Sequence, residues 1–287
     1  MPEGVPSIEL VAGQEDGPRD RWPAAFTPGN DVFSGHLPTL LDAPDALARA
    51  YYAAAWQALR GAAGPRAAAL LDPVPTRARL LVDLARGAGD FRAVEAYVVL
   101  TGDADLLAEK AGGATVLDHL RAMADASAGP VSAEAIQVGR ARSYAALLRR
   151  LGECADPVEL AAADQARAVL ARYAGDGRWQ GAETPDESRS AFYAVAVEMP
   201  EFLDLRQRAG LVEYARRELT DEPPGALGYA LCRLGRPDRA LALLAGAARP
   251  GPAELEAILG GLFGIHARFS GPAARPTRPG LGRLVNT

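Results

Sequence analysis

Glu183, Asp186 and Glu187 form the densest acidic group in the chain, beside an aromatic loop that carries Arg178 and Trp179. Carboxylates placed this way work as general acid and base when a pocket drives their pKa values apart. The same residues also suit a structural task. In Thr184-Pro185-Asp186-Glu187 a threonine can cap a helix, a proline takes its first position, and Glu187 returns the hydrogen bond. Acids in a first turn also complement the helix dipole, so capping is the simpler assignment. The candidate binding residues are Trp56, Arg178, Trp179, Glu183, Glu187 and Tyr193, and no residue is assigned as catalytic.

Other reactive types are scattered. His36, His119 and His266 lack the i, i+4 or His-x-Glu partners of metal sites, so no metal and no cofactor is expected. Cys154 and Cys232 match no ligand spacing or redox pair, which suits a reducing cytoplasm. Lys110, the only lysine, reads as a solvated helical residue rather than a Schiff-base nucleophile.

Three short stretches resemble known motifs. Leu80 to Asp90, LLVDLARGAGD, is similar to the strand and glycine turn of nucleotide-binding and methyltransferase sites, but the third glycine is missing and helical periodicity fits better. Asp176-Gly177-Arg178-Trp179 resembles the Asp-Gly-x-Trp turn of squalene-cyclase-like α/α barrels. It occurs once, and Asp103-Ala104-Asp105-Leu106 lacks the last acid of that family's Asp-x-Asp-Asp motif. Leu234 to Ala240, LGRPDRA, resembles the inter-helix turn of tetratricopeptide repeats, and Gly89 to Val94 does so less well. The turn glycines fall at unequal intervals, so the likeness is local.

The elements that must position these groups read as helices. Leu80, Leu81, Leu84, Ala85 and Ala88 recur at helical spacing, Gly89-Asp90 breaks the run, and Val94, Tyr97 and Val98 resume it. A face of Leu47, Tyr51, Ala54, Ala55 and Ala58 follows Pro44, and a short helix is expected between Gly64 and Leu71. Further helices are expected over 115–126, from Ser132 to Leu151, from Asp156-Pro157 to about Tyr173, from Thr184 to Met199, on to Leu219, then after Pro237 and Pro252. No convincing strand is expected, and 175–183 reads as an interior loop.

The fold class expected is all-α, stacked antiparallel helical hairpins forming a TPR-like α-solenoid or a compact α/α bundle. An extended Pro/Gly-rich N-terminal arm over 1–41 precedes a helical domain over 42–270, with a possible internal boundary at 175–184 and a flexible basic tail over 271–287. Trp22, Phe26 and Phe33 are too apolar for a freely solvated tail, so part of the arm is expected on the helical body or on a partner.

Composition bounds the function. With 287 residues the chain can bury roughly three quarters of its unfolded surface without metal or disulfide. A net charge of -5 and the lack of a long basic run argue against nucleic acid. No apolar run approaches the roughly 18 residues of a membrane span, so no membrane association is expected. The leading expectation is a non-catalytic helical-repeat protein binding a protein or peptide partner in the cytoplasm, its oligomeric state open. The alternative is a metal-independent tailoring enzyme, cyclase- or lyase-like, with an apolar cavity lined by Trp56, Trp179, Phe192 and Tyr193 and an acid from Asp103, Glu183 or Glu187.

Overall fold

The computed structural model describes residues 39–41, 43–59, 75–125, 129–247, 250–264, 268–269 and 283–285. In chain order the elements are strand β1 (Thr39–Leu41), helices α1 (Asp45–Leu59), α2 (Arg77–Ala85) and α3 (Phe91–Thr101), and a 3-10 turn (Ala104–Ala108). The hairpin β2 (Lys110–Ala111) and β3 (Ala114–Thr115) leads into α4 (Val116–Ala124), α5 (Val131–Arg150) and α6 (Asp156–Ala171). A second hairpin, β4 (Tyr173–Gly175) and β5 (Arg178–Trp179), precedes α7 (Pro185–Glu198), α8 (Leu205–Glu218), α9 (Pro224–Arg233) and α10 (Pro237–Ala245). Helix α11 (Pro252–Glu256) runs into a π-helical turn (Ala257–Leu262), and β6 (Arg283–Val285) closes the order.

Local chemistry sets most boundaries. Capping boxes start α4 at Thr115 with Asp118, α7 at Thr184 with Glu187, and α8 at Asp204 with Gln207. Proline stands at the start of α6, α7, α9 and α10, where its missing N–H costs nothing. The stretch from Leu80 to Asp90 is helix and turn: α2 ends at Ala85, Gly87 has φ 70°, and Asp90 caps α3 by accepting from the Arg92 amide. Two starts come earlier than expected, α5 by two residues, since Ser132 does not cap it, and α6 by one. Helix α5 begins at Val131 without a side-chain cap, and α6 begins at Asp156 with Ala155 as its uncapped flank.

The chain is mostly helical rather than wholly so. Among the described residues there are three two-stranded antiparallel sheets, β1 with β6, β2 with β3, and β4 with β5. The stretch expected as a loop at 175–183 folds back instead as a hairpin, because Asp176 and Gly177 both take positive φ, as a two-residue primed turn requires. Gly112 and Gly113 do the same between β2 and β3, which places Lys110 on a strand and not on a helix. Strand β6 lies within the expected C-terminal tail and pairs Leu284 with Leu40. The N-terminal arm up to residue 38, the helix expected between Gly64 and Leu71, and the tail over 271–282 lie outside the described residues.

Buried side chains gather in two clusters. The larger one draws on α1 through Leu47 and Tyr51, the first half of α5 through Val131, Ala135 and Val138, and α6 to α11. The smaller one joins α2, α3, α4 and the second half of α5 through Tyr144, Ala145, Leu147 and Leu148, and includes Phe269. Phe269 meets Phe91 edge-on at 6.5 Å. Helix α5 therefore serves both clusters, and it packs on α4, α6 and α7. Beyond it, α7 meets α9, α9 meets α10 and α11, and both α10 and α11 pack against α1. No helix among the described residues is long and apolar enough to cross a membrane.

Candidate functional site

Where α5 passes from one cluster to the other, its buried row at i+4 spacing reads Val131, Ala135, Gly139, Ser143, Leu147. The two central members are small or polar, and charged groups fill the space they leave. Glu95 of α3 has no exposed surface and Ser143 is 3% exposed. The Ser143 hydroxyl and the Phe269 amide, the latter at 2.8 Å, both donate to Glu95 Oε1, while Arg92 donates to its Oε2. Arg92 reaches on to Glu198 at the end of α7, and Arg268 donates to the same carboxylate oxygen at 3.2 Å. Gly139 makes room for this oxygen: a Cβ there would sit 2.2 Å from Glu198 Oε2.

The charges tune one another. Burial works to raise the Glu198 carboxyl, but the Arg268 and Arg92 guanidiniums outweigh it and hold it below the usual carboxylate range. Burial likewise opposes the charge on Arg268, and Glu198, with Tyr229 and Glu95, reverses the balance and raises it. Arg233, the last residue of α9, is pushed down by burial and by the Arg268 and Arg92 charges. Arg142 of α5 is lowered first by burial and then by Arg233; it pairs with Glu201 and lies over the Phe202 ring at 5.4 Å. Three polar atoms along α5 and α9, Gln137 Oε1, Arg140 Nε and Arg233 Nε, are buried without a hydrogen-bond partner. In chemical terms the seam is a layer of paired arginines and carboxylates between two apolar clusters.

No family model, curated protein or solved structure matches this chain.

The residues singled out in the sequence sit elsewhere. Trp179 is buried on β5 with its ring edge-on to Tyr173 at 5.0 Å, and its indole nitrogen has no partner. Arg178, beside it on the strand, is exposed. Glu187 is exposed and occupied in its capping box, where it also accepts from the Glu183 amide; these backbone and hydroxyl donors lower its pKa. Glu183 is exposed. Tyr193 donates to Glu222 at 3.1 Å, and burial with the Glu222 charge raises its phenol. Its ring packs on Phe192, which packs in turn on Tyr214, so this aromatic group is filled by its own members. The Trp56 side chain lies outside the described residues. Asp103 accepts from Arg77 and from the Tyr97 hydroxyl. His119 is bonded through Nε2 to the Ala111 carbonyl oxygen at 2.8 Å. Among the described residues no group of three or more His, Cys, Asp or Glu is placed to hold a metal ion.

The network on α5 was not named from the sequence, although one signal was present. Phe91, Val94, Glu95 and Val98 share one helical stripe, so Glu95 interrupts an apolar face. Apart from Arg92, its partners lie 48 and 174 positions away, beyond the reach of local spacing.

A second feature lies on the other side of α5. Ala141 and Tyr144 floor a half-open groove of about 200 Å³. Arg121, Ala124 and Asp125 of the α4 end form one wall, and Pro157, Val158, Ala161, Ala162 and Gln165 of α6 form the other. The base is apolar and the rim carries both charges.

Proposed function

We propose that this chain is a non-catalytic helical protein that binds a protein or peptide partner in the groove between α4 and α6. The observation that carries the reading is the groove itself, an apolar floor under a rim of Arg121, Asp125 and Gln165. At about 200 Å³ it falls short of the roughly 300–1,000 Å³ typical of small-molecule sites, but it accepts an apolar side chain of a peptide whose flanking charges meet Arg121 and Asp125.

The packing order also fits a TPR-like stack. Helices α5 with α6 and α9 with α10 are consecutive pairs, and α5, α7, α9 and α11 meet in succession, as the inner layer of stacked hairpins would. The acids that an enzymatic reading would employ already have structural work, Glu187 in a cap and Asp103 with Arg77 and Tyr97. A net charge of -5 disfavours nucleic acid as the partner, and the free thiols of Cys154 and Cys232 suit a cytoplasmic setting.

The test is selection of displayed peptides against the immobilised protein, followed by titration into the Ala161→Arg variant. Ala161 is exposed and helical, so arginine there fills the groove without touching the core. Selected peptides should share an apolar anchor and lose affinity by about tenfold or more in the variant. Peptides that bind both proteins equally, or no selected peptide at all, would refute the assignment.

A further inference from the structure

The floor of the groove between α4 and α6 is apolar except at one point. Tyr144 is 5% exposed and its ring belongs to the smaller cluster, yet its hydroxyl makes no hydrogen bond among the described residues. The hydroxyls of Tyr97, Tyr173 and Tyr193, by contrast, are bonded to Asp103, the Gly177 amide and Glu222. The Tyr144 oxygen is not sealed from solvent either, so the small uncovered part of this residue lies where the groove opens onto it. Burial raises the phenol, and among the charges that act on it Arg121 comes first, followed by Glu153, Asp118 and Asp125, three of the four from α4 and its end. The group therefore keeps its proton at neutral pH and can both donate and accept.

The rim has the same character. Gln165 is half-buried and its amide makes no hydrogen bond among the described residues. Arg121 and Asp125 stand one turn apart at the end of α4 and make no ion pair among the described residues. A ligand that covers the floor takes the Tyr144 hydroxyl out of water. An aliphatic or phenyl anchor would strand it, at a cost comparable to a lost hydrogen bond, whereas an apolar ring with a polar tip would satisfy it. Tyrosine has that form: its ring can lie against Ala124, Ala141, Val158 and Ala162 while its hydroxyl meets a group able to bond in either direction. The indole N–H of tryptophan lies on the side of the ring and only donates.

Resting on the reading of this groove as a peptide site, we propose that the partner segment is anchored by a tyrosine whose hydroxyl bonds to that of Tyr144. An acidic residue of the same segment faces Arg121 and a basic one faces Asp125. Tyr144 is then the residue that sets specificity, and the apolar walls supply affinity for any anchor of suitable size.

The experiment is peptide selection on the whole chain and on its Tyr144→Phe variant, with sensitivity to Ala161→Arg marking the binders of the groove. Because the Tyr144 hydroxyl supports no bond among the described residues, Tyr144→Phe should melt as the unmodified protein does. Groove-bound peptides selected on the unmodified protein should carry tyrosine at the anchor, and those selected on Tyr144→Phe should accept phenylalanine equally. In a four-way cycle on one selected peptide, exchange of its tyrosine for phenylalanine and Tyr144→Phe in the protein should each weaken binding about threefold to tenfold, and the two together no further than either one. Groove binders anchored by leucine, phenylalanine or tryptophan overturn the tyrosine and leave the groove standing as a peptide site. Losses that multiply in the cycle overturn the contact with Tyr144. If no peptide responds to Ala161→Arg, the groove reading and this inference fall together.

Discussion

Replacing Gly139 by alanine separates helix propensity from the charged seam, because the two effects have opposite signs. In the interior of an ordinary helix the exchange stabilises by about 1 kcal/mol. Here the added carbon would lie 2.2 Å from Glu198 Oε2, 2.9 Å from its Cβ and 3.0 Å from its Cδ. A free carboxylate tip would swing aside, but this one is held by Arg92 and Arg268, and the Cβ cannot rotate away. Moving it leaves two partly buried guanidiniums short of a partner, a loss of about 3–5 kcal/mol for a broken buried pair. The balance is a destabilisation of about 2–4 kcal/mol for Gly139→Ala. In a Glu198→Gly background all three of these atoms are gone, so the same exchange should stabilise by up to about 1 kcal/mol. Urea unfolding followed by far-ultraviolet circular dichroism on all four members of the cycle reads both signs. A neutral or stabilising Gly139→Ala in the unmodified protein would refute the packing of Glu198 against this turn of α5.

Two more outcomes follow from the same structure. Because its two arginines hold the Glu198 carboxyl below its ordinary value, its stabilising effect is complete above the unfolded carboxyl pKa, about 4.3, and is lost as pH falls through the lower folded value. Glu198→Gln should therefore be less stable than the unmodified protein at pH 7, with the gap in urea midpoint closing towards pH 3; a gap that does not change with pH would contradict this. The second concerns the thiols. Burial pushes the Cys232 thiol up to about 12, while Cys154 is exposed, so Ellman's reagent should titrate one thiol rapidly in native protein and both in denaturant. Two fast thiols in the folded state would show that α9 is not packed on the π-helical turn at Gly261.

The helix framework was legible because its signals are local. Thr184 with Glu187, Pro185 and Pro237 at first helical positions, and the break at Gly89-Asp90 all act within a few residues, and each marks a helix start where it was expected, although α2 ends at Ala85, short of Ala88. The β4–β5 hairpin was half legible. Asp176-Gly177 carries the preference for a primed turn, but the flanking segments are too short to show alternation. The seam was hidden for a different reason. Its members come from α3, α5, α7, α9 and the chain after α11, and only packing reveals that Gly139 is small for the sake of Glu198. The groove was hidden in the same way, since it is a property of three helices together.

One arrangement bears on how the molecule assembles during synthesis. Helix α1 leaves the ribosome before α10 and α11, yet among the described residues these are helices that pack against it, and β1 waits for β6. The apolar face of Leu47, Tyr51, Ala54 and Ala55 thus waits for α10 and α11, about 180 positions further along, before these contacts can form. Nascent chains stalled before α11 should be markedly more prone to capture by chaperones than chains in which α11 has emerged, which makes the arrival of that helix, and not the speed of any single one, the event that commits this fold.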